Sequence, residues 1–334
     1  MPDSDNIIPY EPFTLLKNIA MTRRFTFVIS CCLLFAFASC QKFKGSQTVP
    51  AYIHIDSITV DCDYYTYGAN TSNITDAWVY VDEQIMGCFE LPTTFPLLEK
   101  GSHKVSVYAG ICSDGRGSVR GPYPFYKPKV YEDLVLVEDS IVNLNPVVTY
   151  YPIGEGVKVG WIEDFETGNS LVSTAQSDTG IVRVSGNEAW HSVNSFYSGR
   201  IVLPPDSLDF TVATSDQLTC HTNLQGEKPI LLEMDYKTND TIFVGVIYFE
   251  NYSLVQWPLV KVLPTDTKHD VPQVWKKIYI NLGTLLHEHE SASYFKVYFT
   301  SDLSLAPQYG QPDYVHPNKW RYYYFDDLKV LYRQ

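Results

Sequence analysis

Short runs of alternating apolar and polar residues recur from Ala51 to the end of the chain. In AYIHIDSITV, Ile53 and Ile55 alternate with polar neighbours; in DAWVYVDEQIMGCFEL, Ala77, Val79 and Val81 share one face before a turn near Asp82–Gln84. GSHKVSVYAG repeats the pattern with Val105 and Val107, and VYEDLVLVEDSIVNLNP continues it towards Tyr150. A period of two puts successive side chains on opposite faces of a strand, and turn residues every 8–12 or so positions predict an antiparallel sandwich.

YYPIGEGVKVG, residues 150–160, breaks the alternation with Pro152 and three glycines, so residues 151–160 read as a linker. Beyond it come WIEDFETGNSL, GNEAWHSVNSFYSGRIVL, VWKKIYINLGTLL, SYFKVYFTSD and YYYFDDLKVL, with no amphipathic helix of useful length. The expected class is therefore all-β: a β-sandwich over 51–150 followed by a second over 161–334.

The last strand raises a question of its own. Strict alternation puts Tyr322, Tyr324, Asp326, Leu328 and Val330 on one side and Tyr323, Phe325, Asp327, Lys329 and Leu331 on the other. The even set is the more apolar, so Asp326 is expected to point inward. A buried carboxylate without a partner costs several kcal/mol, by the usual order of magnitude, and takes up a proton or finds a partner instead.

The N-terminal part reads differently. In MTRRFTFVISCCLLFAFASC, residues 21–40, Arg23 and Arg24 precede an apolar run from Phe25 to Ala38. That run is shorter than the roughly 20 residues a membrane-spanning helix needs and fits the core of a signal peptide. Ala38 and Ser39 before Cys40 resemble the lipobox of Bacteroidota-type envelope lipoproteins, with Phe37 departing from the usual leucine. The resemblance implies that residues 1–39 are an extension and signal peptide and that Cys40 is acylated. Residues 40–50 would then be a tether on the periplasmic or surface face of the outer membrane. Buried acyl carbons contribute about 0.8 kcal/mol per CH₂, so such an anchor is firm.

Charge narrows the partners. The chain has 334 residues, a net charge of −13 and 25 tyrosines. The first 39 residues are neutral overall, so the whole negative excess stays with the mature protein, and no basic stripe carries interleaved aromatics. Nucleic acid is excluded as a partner class. Outside the signal the cysteines are Cys62, Cys88, Cys112 and Cys220; an oxidising envelope permits one pair among the first three, which spacing cannot choose.

Two further resemblances refine the fold. Val79, Val81, Gly87, Pro92, Gly101, His103, Val105 and Val107 are similar to the pattern of PEGA-like modules, which implies a small Ig-like spacer over 51–150. Phe165 with Glu166, Ser192 to Leu203, Trp275 to Leu282 and the pair Asp326 and Asp327 resemble the order of strand edges in galactose-binding-like jelly rolls, the fold of many carbohydrate-binding modules. That second likeness implies a structural Ca²⁺ held by Glu166 and Asp326. The alternative is an acidic pair hydrogen-bonded to backbone or to a nearby Lys or Arg. Calcium takes six to eight oxygen ligands, a demanding set.

Catalytic motifs are absent. HEHE, residues 287–290, lacks the second histidine four positions after the first that a zincin helix needs, and it reads as a loop. There is no GxSxG, no phosphate loop and no GxGxxG. Aromatic rings stack on the C–H face of a pyranose, which makes Trp190, His191, Tyr197, Trp257 and Trp320 candidate platforms. Trp190 with His191 and Asn194, in a polar stretch, is the favoured ligand-binding set. The expected function is a non-catalytic, lipid-anchored envelope protein whose jelly roll binds a glycan or cell-wall component. The alternatives are a structural or assembly lipoprotein that binds another envelope protein, and a glycoside hydrolase with two carboxylates about 5–10 Å apart.

Overall fold

In the computed structural model the described residues are 49–175, 177–190, 194–205, 209–219, 228–302 and 319–333. The signal segment, Cys40, His191 and Cys220 lie outside them. The chain divides at Val49, and Pro50–Gln334 forms a single compact unit.

The all-β expectation holds. In the first half, Ala51–Ile55 pairs in parallel with Ile141–Leu144 and antiparallel with Thr93–Leu97. A second sheet runs Gln84–Glu90, Asp76–Val81, Gly101–Cys112, with Arg120–Pro122 and Lys129–Leu136 both paired to the long central strand. The alternation noted above becomes a core: Ile53, Ile55, Val79, Val105 and Val107 are fully buried, and Phe125 closes it. Cys62, Cys88 and Cys112 are free thiols, so the pair that an oxidising envelope would permit among them is not formed.

The second half is a sandwich of a six-stranded and a five-stranded sheet. The six-stranded sheet runs Val182–Ser185, Tyr197–Leu203, Arg321–Tyr332, Ile230–Thr238, Lys276–Asn281, and Lys158–Glu163 pairs with the far end of Arg321–Tyr332. The facing sheet runs Leu171–Ser173, Thr211–Thr214, Phe295–Thr300, Ile242–Glu250, Ser253–Val262. Between them lie Phe165, Ile201, Leu203, Phe210, Leu232, Met234, Val244, Val246 and Phe299. The stretch 151–160 runs directly into this sheet: Val157 is buried, and Lys158 and Val159 already pair with Tyr332 and Leu331.

Close packing in the facing sheet depends on one glycine. A Cβ on Gly245 would lie 2.3 Å from the backbone oxygen of Trp257 and 2.6 Å from the buried Tyr298 ring. Backbone cannot swing aside as a side-chain tip can, so Gly245→Ala is expected to destabilise by about 2 kcal/mol or more. Urea denaturation measures it, and a change within 0.5 kcal/mol or so would contradict the packing described.

The last strand departs from strict alternation, and the departure accounts for its two aspartates. Glu233 pairs with Lys329 but Asp235 pairs with Asp326, so Met234 faces two residues, Asp327 and Leu328. Asp327 has φ 44°, the left-handed conformation of a bulge residue. The parity of the strand changes there. Tyr323, Phe325, Leu328 and Val330 point into the sandwich core, and the even-numbered face expected from the sequence is corrected. Asp326, Asp327 and Lys329 all leave on the opposite, outer side of the sheet.

Candidate functional site

That outer face is covered, not bare. Leu231, Tyr279 and Leu331 of the six-stranded sheet belong to one hydrophobic cluster with Val60, Tyr67, Tyr123, Phe125, Tyr126, Tyr150 and Val157 of the first half. Alternation along each strand then lines up ionisable side chains beneath this cover: Glu233 and Asp235 on one strand, Lys277 on the next, Asp326, Asp327 and Lys329 on the last. All six are buried.

Their partners come from both halves. Glu233 Oε1 accepts hydrogen bonds from the Tyr123 hydroxyl and, at 2.9 Å, from the Tyr150 hydroxyl. Its other oxygen lies 3.1 Å from Lys277 Nζ and 3.6 Å from Lys329 Nζ. Burial pushes the Glu233 carboxyl up, but Lys329, Lys277 and the two phenols overcome it and hold the group below its ordinary range. Lys329 donates to Tyr67 O at 2.6 Å, Ala69 O at 3.2 Å and the Tyr150 hydroxyl at 3.2 Å. Tyrosine is abundant in this chain partly because phenols here do two tasks: their rings exclude water and their hydroxyls donate to a buried carboxylate.

Two carboxyls fare worse. Asp327 accepts from Ala69 N at 3.3 Å through one oxygen, while the other has no hydrogen-bond partner among the described residues. Burial first, then repulsion from Asp235, raise its pKa. Asp326 accepts from Ser198 Oγ at 2.6 Å, Ser195 Oγ at 3.4 Å and Asp327 N at 2.8 Å. Burial and the neighbouring Asp327 charge raise it well above the ordinary aspartate range.

Glu166, expected to share a cation with Asp326, is engaged otherwise. Its Oε1 accepts from Phe196 N at 2.7 Å and Tyr197 N at 2.8 Å. The two carboxylates thus hold the same stretch, Ser195–Ser198, from its amides and its hydroxyls. Hydrogen-bond donors aim at both groups where Ca²⁺ would need several more oxygens. No group of three or more His, Cys, Asp or Glu able to hold a metal occurs among the described residues. The donor set here does not fit a calcium ion, and no role is assigned to one.

One register position along the same face stands the more open part. Trp275, Lys237 and Tyr324 continue the rows of Lys277, Asp235 and Asp326, about 7 Å on. Trp190 and Trp275 meet edge to face at 5.8 Å, and Trp275 and Tyr324 do so at 6.2 Å. Both tryptophans are half-buried, and Tyr324 is fully buried beneath them. Lys237 Nζ sits 4.2 Å from the Tyr324 ring centre and 5.0 Å from that of Trp275, and donates to Glu188 O at 3.2 Å. Burial lowers its pKa. Glu188 Oε1 receives Arg200 at 2.6 Å and the Tyr324 hydroxyl at 3.2 Å. Trp190 N donates to Ser198 Oγ at 2.8 Å, so the loop bearing Trp190 is tied through Ser198 to Asp326.

Of the residues singled out in the sequence, Trp190 therefore sits in an aromatic group, and Asn194 is exposed nearby in the chain. Tyr197 stacks under Arg183 at 4.1 Å, while Trp257 and Trp320 stand half-exposed elsewhere. Trp275, Tyr324, Lys237 and Glu188 were not legible as site residues, because only the pairing of non-adjacent strands assembles them. The two histidines of HEHE part company: His287 Nε2 lies 2.8 Å from Lys228 O, and His289 bridges Glu250 and Tyr248. Asp326 and Asp327, both raised by burial, are sealed from solvent and cannot flank a glycosidic bond.

No protein-family model matches the chain, and no curated protein matches it. Among solved structures, the Clostridium thermocellum xylanase 10B CBM22-1–GH10 modules with xylohexaose align at 13% identity and TM-score 0.32, over 52% of this chain and 28% of that one. The chain therefore spans well under a third of that protein. A family 11 carbohydrate-binding module of C. thermocellum, in complex with a mixed-linked tetrasaccharide, aligns at 13% identity and TM-score 0.33, over 52% of this chain and 95% of that one. The K1 adhesin domain of Lys-gingipain from Porphyromonas gingivalis aligns at 12% identity and TM-score 0.31, over 51% and 96%. Superpositions at this level carry no argument about ligand or mechanism.

Proposed function

We propose that the protein is a non-catalytic envelope protein, anchored by lipid at Cys40, that binds a glycan through the aromatic group on the outer face of its C-terminal sandwich. The observation that carries this reading is the edge-to-face set of Trp190, Trp275 and Tyr324 with Glu188, Arg200 and Lys237 around it. Ring faces suit the C–H surface of a pyranose, and charged groups at their margin suit its hydroxyls. The negative excess of the mature chain favours a neutral or cationic sugar polymer over a polyanionic one.

Binding of the acyl-free protein to a panel of plant, host and bacterial glycans tests the reading. Saturable binding to one class is expected, weakened roughly tenfold or more by Trp275→Ala and by Trp190→Ala. Silence across the panel from folded protein would remove the glycan reading for those sugars.

A second reading, attachment to another envelope protein, draws on the hairpin between Ile242–Glu250 and Ser253–Val262. Its tip exposes Tyr252 almost completely, followed by Leu254 and Trp257. Loss of partner capture on Tyr252→Ser, with glycan binding unchanged, would favour it.

A further inference from the structure

We propose that Lys277 and Asp235 are joined by an intramolecular isopeptide bond, with Glu233 as the proton acceptor that permits its formation. The three side chains come from two adjacent strands. Asp235 and Lys277 are direct cross-strand partners, and Glu233 lies two residues before Asp235 on the same face. Lys277 Nζ is 3.2 Å from Asp235 Oδ2 and 3.1 Å from Glu233 Oε2, with all three side chains almost wholly removed from solvent.

The surroundings assign each its role. The environment pushes the two carboxyls apart, which is how one site comes to hold both an acid and a base. Burial raises Asp235 towards the protonated acid, the form an amine can attack. Glu233, held by Lys329 and two phenols, stays anionic and accepts a proton. Burial alone would strip Lys277 of its proton, but Asp235 while ionised, and Glu233, hold it as the ammonium; once Asp235 is protonated, Glu233 alone does so. The reacting amine is therefore reached only as Glu233 takes that proton. Thr71 Oγ1 donates to Asp235 Oδ2 and accepts from Lys277 at 3.0 Å, which polarises the carboxyl and aligns the amine. Held in this geometry, amine and acid react at an effective concentration of about 10⁵ M or more.

One proton passes from the Lys277 ammonium to Glu233. The neutral nitrogen attacks Cγ of protonated Asp235, a C–N bond forms, and a C–O bond breaks. The departing hydroxyl carries away one further amine hydrogen as water, leaving a secondary amide and a neutral Glu233. Two buried charges, one on Lys277 and one on Glu233, are neutralised without any oxidant or co-reactant. Lys329 has no such outlet, because its close partners are two carbonyls, a phenol and the anionic Glu233.

Peptide mapping of the full chain after denaturation and digestion decides the matter. The expected product is a branched peptide joining the fragments that contain Lys277 and Asp235, one water lighter than their sum. Asp235→Asn is expected to give a branched peptide of the same mass, with ammonia leaving instead. Glu233→Gln is expected to abolish the branch. Recovery of both fragments as unbranched peptides from the folded wild-type chain overturns the proposal, as does a branch that persists in Glu233→Gln. The wild-type measurement stands even where a variant does not fold.

Discussion

Replacing Lys329 with methionine is expected to destabilise the protein by about 3–5 kcal/mol. Lys329 is fully buried, and its ammonium satisfies two carbonyls, Tyr67 O and Ala69 O, while lying beside Glu233. Methionine fills most of the volume, so the loss is electrostatic rather than a cavity effect. It leaves two buried carbonyls short of a donor and Glu233 without its neighbouring ammonium. Each stranded group costs about 1–3 kcal/mol, and more if charged. Because the carbonyls belong to the first half and Lys329 to the last strand, the same change loosens the seam between them. Urea denaturation of the wild type, Lys329→Met, Tyr150→Phe and the double variant gives the coupling of Lys329 to the phenol it donates to. The double variant is expected to lose clearly less than the sum of the singles. A loss under 1 kcal/mol or so for Lys329→Met would show that the cluster is a bystander.

Stability is expected to fall as pH rises from about 4 to about 9, against the common pattern of a broad optimum near neutrality. The sign follows from Asp326 and Asp327, both raised above the ordinary aspartate value of 3.8, chiefly by burial. A carboxyl that holds its proton more tightly when folded contributes fully below its unfolded pKa. That contribution is lost as pH climbs towards the folded value. Before the Lys277–Asp235 bond forms, Glu233 is shifted the other way, and its contribution is lost only as pH falls below the ordinary glutamate range. Each unit of displacement corresponds to about 1.4 kcal/mol.

Asp327→Asn isolates the effect. One oxygen of Asp327 accepts no hydrogen bond from a described group, and asparagine tolerates a positive φ better than most residues. The variant is expected to gain about 1–2 kcal/mol at alkaline pH and to flatten the slope. Melting temperature against pH for both proteins measures it. A parallel pair of curves would mean that Asp327 does not carry the proton.

The aromatic pair Trp190–Trp275 and the seam are products of one sheet face, yet they differed in how far the sequence exposed them. Trp190 could be found because a tryptophan in a polar stretch is conspicuous. Trp275 could not, since beside the strand KKIYIN it reads as ordinary strand-edge aromatic surface. Asp326 was visible as an anomaly within an apolar alternation, but its neighbours were not. Ser195 and Ser198 are as unremarkable in sequence as serines generally are, and they become partners only when Tyr197–Leu203 lies beside the last strand.

By itself, the sequence determined the all-β class, most strand positions and the buried faces of the first half. Those depend on local alternation, and a period of two can be read from neighbours alone. Only the tertiary structure decided that the outer face of the second sandwich is partly sealed by the first. It also decided that Asp326 and Asp327 share a side, and that Glu233, Asp235 and Lys277 meet. A single bulge residue at Asp327 inverts every later side chain of its strand. The energy that tolerates six buried ionisable groups comes from pairings 40 to 260 or so residues apart, a separation at which local pattern carries no information.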